Sequence, residues 1–280
     1  MLRYLFLLFV TLVAANKCPY QFEGIPYTRK SMLTIKGLPT NLAYNSINND
    51  LYFTLIDIDS LQNDNEQTKM DQYILRDGKP IKIDNIHGQA AAVDTNNGTV
   101  YIASDDGLNI LNSTDHANFI SLKDEDIVQI FKPIHKNELY VVVFPENEVY
   151  KLNVEKNEKR KVAYVPCAFI LAVDHHDNIY YECDSKYVKV LLKDFSEPVE
   201  FVGIAKNNAR AMAVDMIGRV ILAANDGIYH LRPDNIIPKK LMNLDFVPSA
   251  IAFDNKVGTM YLATNGIIYE YSVADAKTCV

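Results

Sequence analysis

The sequence carries no surplus of positive charge: 28 lysines and arginines face 35 aspartates and glutamates, a net charge of −7. That balance removes the electrostatic case for nucleic acid or an anionic membrane surface as partner. The densest basic run, Lys156 to Lys161, lies between strand-like segments and reads as a solvated turn. Beyond the first fifteen residues no apolar run is long enough to span a bilayer. None of the four cysteines belongs to a C-x-x-C pair, which removes the usual cysteine-based metal centres. Helical spacing of apolar residues is nowhere sustained, so a helical solenoid is a poor description. Tryptophan is absent, yet 49% of the residues are hydrophobic, ample for a large core.

The chain opens with Arg3, an apolar run and small residues up to Ala15. This is the layout of a secretory signal peptide, with cleavage expected after Ala15 and a domain spanning residues 16–280. An even set of cysteines, Cys18, Cys167, Cys183 and Cys279, suits the oxidising compartment such a signal implies. Two sequons, at Asn97 and Asn112, are candidate glycosylation sites on a secreted surface.

One phrase recurs along the chain: a few small or apolar residues, often closed by Asp, a polar turn, and an alternating run centred on Tyr. It reads Ala92-Val93-Asp94, Ala172-Val173-Asp174, Ala213-Val214-Asp215 and Ala252-Phe253-Asp254, with looser copies at Leu42–Asn45 and Lys132–Ile134. The following runs centre on residues 52, 101, 140, 180, 221 and 261. A period near 40 with room for four short strands is the signature of propeller blades. Asn, Asp or Gly in the turns (Asn97-Gly98, Gly218, Gly258) suits a hairpin between the first two strands of each unit. The expected fold is all-β: a six-bladed β-propeller with four antiparallel strands per blade.

The sixth unit runs out after its third strand, at Tyr271, whereas an unassigned strand, Ser31–Lys36, precedes the first unit. The ring is therefore expected to close by pairing the N-terminal strand with the last blade, which removes open sheet edges. Closure places Cys18 beside Cys279. Cys167 precedes the first strand of the fourth unit and Cys183 ends its second, so Cys167–Cys183 is the other expected disulfide, at the mouth of the ring. The first unit has an excess between Ile56 and Met70 that reads as a disordered polar insertion; it lacks the glycine and terminal Glu of an EF-hand.

First strands line the central channel of a propeller. Five residues before each Asp-equivalent lie Thr40, Gln89, Gln129, Phe169, Arg210 and Ser249, and Glu182 ends a second strand nearby. This inner ring holds no acid, a poor match to a hard cation that needs six or more oxygen ligands. No nucleophile constellation is evident, and His175-His176 falls in a turn on the opposite face, where a solvated hairpin is expected. Arg210, Gln89, Gln129 and Phe169, with Glu182, suit a planar anionic ligand: the guanidinium pairs with a carboxylate, the amides orient it and the ring stacks. Equally, Arg210 is placed to pair with Glu182.

The signal layout, an early cysteine followed by Gly24-Ile25-Pro26-Tyr27, six phrases of the Ala-Val-Asp type and the terminal Lys277-Thr278-Cys279 resemble insect ommochrome-binding proteins across the mature chain. The resemblance implies a haemolymph carrier of tryptophan-derived pigments and assigns no role to any single residue; the mouth residues themselves suggest no cofactor or catalytic group, and closed blade edges make a monomer the expected form. The blades are more distantly similar to gluconolactonase-type propellers, which implies as the alternative a secreted Ca²⁺-dependent lactonase or esterase.

Overall fold

A computed structural model describes residues 20–62 and 68–274. The expected signal segment, Cys18, Cys279, Lys277 and the acidic residues 64 and 66 of the insertion lie outside them. Six sheets of antiparallel strands are arranged as a propeller. Blade 1 comprises Leu38–Asn45, Asp50–Ile56, Met70–Arg76 and Lys79–Lys82; blade 2, Gly88–Val93, Val100–Ser104, Gly107–Leu111 and Ala117–Ser121. Blade 3 comprises Ile127–Phe131, Glu138–Val143, Glu148–Asn153 and Glu158–Lys161; blade 4, Ile170–Val173, Ile179–Glu182, Lys189–Leu191 and Val199–Glu200. Blade 5 comprises Ala209–Val214, Val220–Ala224, Gly227–Arg232 and Asn235–Asn243. Blade 6 has three strands from the chain's end, Ala250–Phe253, Met260–Thr264 and Ile267–Val273.

The fourth strand of blade 6 is Ile25–Thr34, with Arg29 opposite Tyr271 and Leu33 opposite Ile268. The expected N-terminal closure is present, its strand beginning six residues earlier than the sequence suggested. A fifth strand, Tyr20–Phe22, folds back on it. The seam is packed as a core: Phe22 and Tyr27 are buried against Phe253 and Tyr271. Arg29 sits between the rings of Tyr20 and Tyr269, at 4.6 and 4.8 Å, and pairs with Asp245 at 2.6 Å. Glu23 reaches blade 5, bonding Arg219 and Lys239.

Second strands are buried on both faces, which explains their unbroken apolar runs. In blade 5, Ile221 and Ala223 join the core shared with blade 6, whereas Val220, Leu222 and Ala224 join that shared with blade 4. The period-2 alternation of one strand thus supplies two inter-blade cores. Truncating such a fully buried side chain, for example Leu222→Ala, costs about 2–5 kcal/mol in cores of this kind.

The Asp of each phrase shapes the lower turn. Asp94, Asp174, Asp215 and Asp254 are buried, and each accepts the amide two residues on, from Asn96, His176, Ile217 and Lys256. Gly98, at φ +77°, closes one such turn by donating its amide to Asp94 O at 2.8 Å. Blades are stitched across the same face. Arg76 grips the wholly buried Asp50 through two bonds (2.9 and 2.7 Å) and Asp115 of blade 2 through two more. Blade 3 has no Asp in its phrase; Lys132 instead reaches Asp94 Oδ2 of blade 2 at 3.1 Å.

The insertion in blade 1 is ordered at its start. Ile58–Gln62 forms a 3₁₀ turn, with Asp57 accepting the amide of Asp59, and Lys36 pairing with Asp59 at 2.6 Å. The expectation of disorder fails there because local side-chain bonds give the polar segment a turn to adopt.

Candidate functional site

The first strands enclose an axial channel of about 970 Å³, open ends included. Between its ends the lining side chains are apolar, among them Ala92, Ile130, Leu171, Met212 and Ile251. Polar groups collect at its two ends.

At the upper end the first strands do not run straight. Register shifts fall between Thr40 and Ala43, Gly88 and Ala90, Ile127 and Gln129, and Ala209 and Ala211. Such bulges re-aim a side chain at the end of a pairing. The residues inside them are Asn41 and Leu42, Gln89, Val128, and Arg210. Asn41, at φ +50°, takes a backbone conformation that asparagine tolerates better than most residues.

Arg210, Phe169, Gln129, Asn41 and Ser249 line the mouth. Arg210 is exposed; its Nε donates to Asn225 Oδ1 at 2.5 Å, and it enters none of the ion pairs among the described residues. Phe169 leaves half of its surface (49%) open beside it, on the face that also exposes Phe144 of blade 3. Asn41 Nδ2 donates to Gln89 O at 2.6 Å, and Gln129 Nε2 lies 3.4 Å from Asn41 Oδ1.

Three sequence expectations are revised by this geometry. Gln89 is buried and does not line the channel; its amide donates to Asp126 Oδ1. Gln129 does line it, but one step deeper than the count implied, because Val128 occupies the bulge that corresponds to Gln89 and Arg210. Glu182 does not meet Arg210. It is buried at 5% exposure, away from the channel wall, with Oε1 unpartnered, and burial raises its pKa above the ordinary carboxylate range. The alternation places its side chain on the face that packs toward blade 5, as it does Tyr180 two residues before.

Cys167 and Cys183 are bonded, with Cα atoms 5.5 Å apart. The disulfide ties the entry of blade 4 to the end of its second strand, beside Phe169, whose amide donates to Glu182 O. Asn97 is exposed and Asn112 half-buried. His175 lies on the lower face, its Nδ1 3.3 Å from Gly218 O.

The channel lining includes no Asp, Glu, His or Cys among the described residues. Where three such groups do converge, they are the two disulfide cysteines and Asp184, whose sulfurs are already spent on each other. A hard divalent cation would find two amides and a hydroxyl beside a guanidinium, a donor set that does not fit it. The residue that sequence reading missed is Asn41, one residue past Thr40, for which an Asn at a bulge was the available clue; Asn225, at the end of a second strand, holds Arg210.

No family model matches the chain, and no curated protein matches its sequence. Solved structures share its fold. A gluconolactonase from Xanthomonas campestris superposes with a TM-score of 0.68 at 10% identity, over 91% of this chain and 95% of that one. Regucalcin from Agrobacterium tumefaciens, described as a calcium-binding protein, gives 0.65 at 12% identity over 89% and 95%. An auxiliary nutrient-binding protein from Bacteroides thetaiotaomicron gives 0.63 at 11% identity over 89% and 76%. At such identities the likeness is one of fold, and the fold serves enzymes and binding proteins alike.

Proposed function

We propose that this protein is a secreted carrier that holds a small, planar, anionic molecule at the mouth of its propeller channel. Arg210 carries the reading: an exposed guanidinium at a bulge, oriented by one amide and free of any carboxylate among the described residues. Its remaining N–H donors suit a carboxylate in the paired geometry that arginine favours. The open face of Phe169 offers a stacking partner, and Asn41 and Gln129 supply amides across the opening. The described channel lining also holds no group with an ordinary pKa near neutrality, as general acid–base chemistry would want. An ommochrome-type pigment is the ligand we infer from the sequence resemblance, with haemolymph as the compartment and a monomer as the working form.

A second reading, a lactonase-like enzyme, is favoured by the activity named for the Xanthomonas campestris protein and by Glu182, a buried carboxyl beside the mouth disulfide. One sample separates the two. Protein purified from its native secretion is examined for visible absorption and divalent metal, and tested for lactone hydrolysis with and without chelator. The carrier reading expects a co-purifying chromophore near one per chain and no hydrolysis. A colourless, metal-containing, chelator-sensitive hydrolase would replace it.

A further inference from the structure

The lower end of the channel holds polar groups that the mouth does not explain. Among the described residues four side-chain atoms are shut off from solvent without a hydrogen-bond partner, and two of them, Thr95 Oγ1 and Asn255 Oδ1, belong to residues lining this end. Buried polar atoms are seldom left this way in folded proteins, and each marks a place where a water or a ligand belongs. On the Thr95 side lies Lys132, its side chain only 2% exposed, donating to Asp94 Oδ2 and to the carbonyl of Lys136. Tyr44, stacked on Tyr261 at 4.7 Å, completes the rim on the blade 1 side.

We propose that this end is a second polar subsite, which receives an uncharged hydrogen-bond donor at the far end of the anionic molecule held by Arg210. The inference rests on the mouth reading above. Charge decides the class of the group. The Lys132 ammonium is already matched by Asp94, so an ionised group brought here would be buried without a counter-charge. Asn255 Oδ1 accepts only, and the Thr95 hydroxyl either accepts or donates, so the complement is a hydroxyl or a neutral N–H. Length decides the rest. Gln129 at the mouth and Lys132 at the floor, just past the end of the same strand, are three residues apart, about 10 Å in extended chain. The apolar side chains between them suit a ligand with a carboxylate at one end, two or three fused rings, and a hydroxyl at the other.

Two probes isolate the floor: 2-naphthoate and 6-hydroxy-2-naphthoate, which differ only in the distal hydroxyl. Binding of each is measured by titration calorimetry to the wild-type chain and to the Thr95→Val, Thr95→Ser, Asn255→Ala and Arg210→Ala variants. The hydroxylated probe is expected to bind roughly tenfold more tightly to the wild type. Thr95→Val and Asn255→Ala should each shrink that preference without weakening 2-naphthoate, Thr95→Ser should keep it, and Arg210→Ala should weaken both probes alike. Equal wild-type affinities, or floor variants that weaken both probes equally, would overturn the subsite and leave the mouth reading standing; the floor atoms would then be met by water alone. If Arg210→Ala changes nothing while Thr95→Val still removes the preference, the mouth reading fails and the floor survives as a site of its own. Failure of both probes to bind the wild type would count against both.

Discussion

The two faces of the ring use their polar residues in opposite ways. On the lower face nearly every acid is committed: four aspartates cap their own hairpins, Arg76 joins Asp50 to Asp115, and Lys132 joins blade 3 to blade 2. At the upper end of the channel Arg210 has a single amide for company, although Asn41 and Gln89 near it are tied to neighbouring residues and the outer part of that face carries ion pairs of its own, such as Lys240 with Asp226. The floor of the channel belongs to the first regime by its ion pair and to the second by its two unpartnered oxygens. The lower face holds the blades in register; at the mouth, Arg210 is left chemically available. Mutations on the two faces should therefore separate stability from binding.

The largest stability effect should come from Arg76→Ala, which strands the buried Asp50 carboxylate. A loss of about 3–5 kcal/mol in urea unfolding is expected. A value under about 1 kcal/mol would mean that the lower face is not the structural one. Next is the one covalent tie described at the mouth. Replacing Cys167 and Cys183 together by serine opens a loop of sequence separation 16, with an expected cost of about 3 kcal/mol. The same pair should leave the affinity for an anionic probe closer to wild type than Arg210→Ala does.

A smaller, pH-dependent effect belongs to the seam. Hydrogen bonds from Lys239 and Arg219 lower the Glu23 pKa from its ordinary 4.5 to about 2. A carboxylate more acidic in the folded state contributes stability above its unfolded pKa and loses it as pH falls toward the folded value. The unfolding midpoints of wild type and Glu23→Gln should thus differ at pH 6 and converge as pH falls from 4.5 toward 2; a gap that persists undiminished at pH 2.5 would show another origin. The smallest change in stability is expected for Arg210→Ala, within about 0.5 kcal/mol as for exposed side chains generally. Its effect should fall on ligand affinity instead, and a stability loss comparable to that of Arg76→Ala would erase the contrast between the faces.

The propeller was legible because its periodicity is physical. Strands buried on both faces need apolar runs, lower turns need Asp, Asn or Gly, and the missing outer strand of blade 6 had one place to come from. The Cys167–Cys183 bond followed from the same register. The mouth was less legible, since side-chain alternation holds only while the pairing is regular. Bulges shift the count by one or two residues, so Asn41 rather than Thr40 faces the opening and Gln129 sits deeper than Gln89 would have. Blade 3 misled the alignment by lacking the Asp that anchors the count, and the same lack brought Lys132 to the channel floor unnoticed. Glu182 shows the remaining gap: a strand-end position is visible in sequence, but the side of the blade it faces depends on packing against a neighbour forty residues away.

The seam of Ile25–Thr34 on Ile267–Val273 also sets an order of events during synthesis. The strand made first must wait for almost the whole chain before its partner emerges, so the ring cannot close on a nascent polypeptide. Until then the third strand of blade 6 is missing and the opening strand has an unsatisfied ladder, the condition in which β-rich chains pair with the wrong molecule. A pairing of such sequence separation carries the longest loop closure the chain can offer and should be among the last to form. Premature termination anywhere before residue 267 would leave folded blades without a closed ring, and quality control in the cell would meet an open edge rather than a smaller propeller.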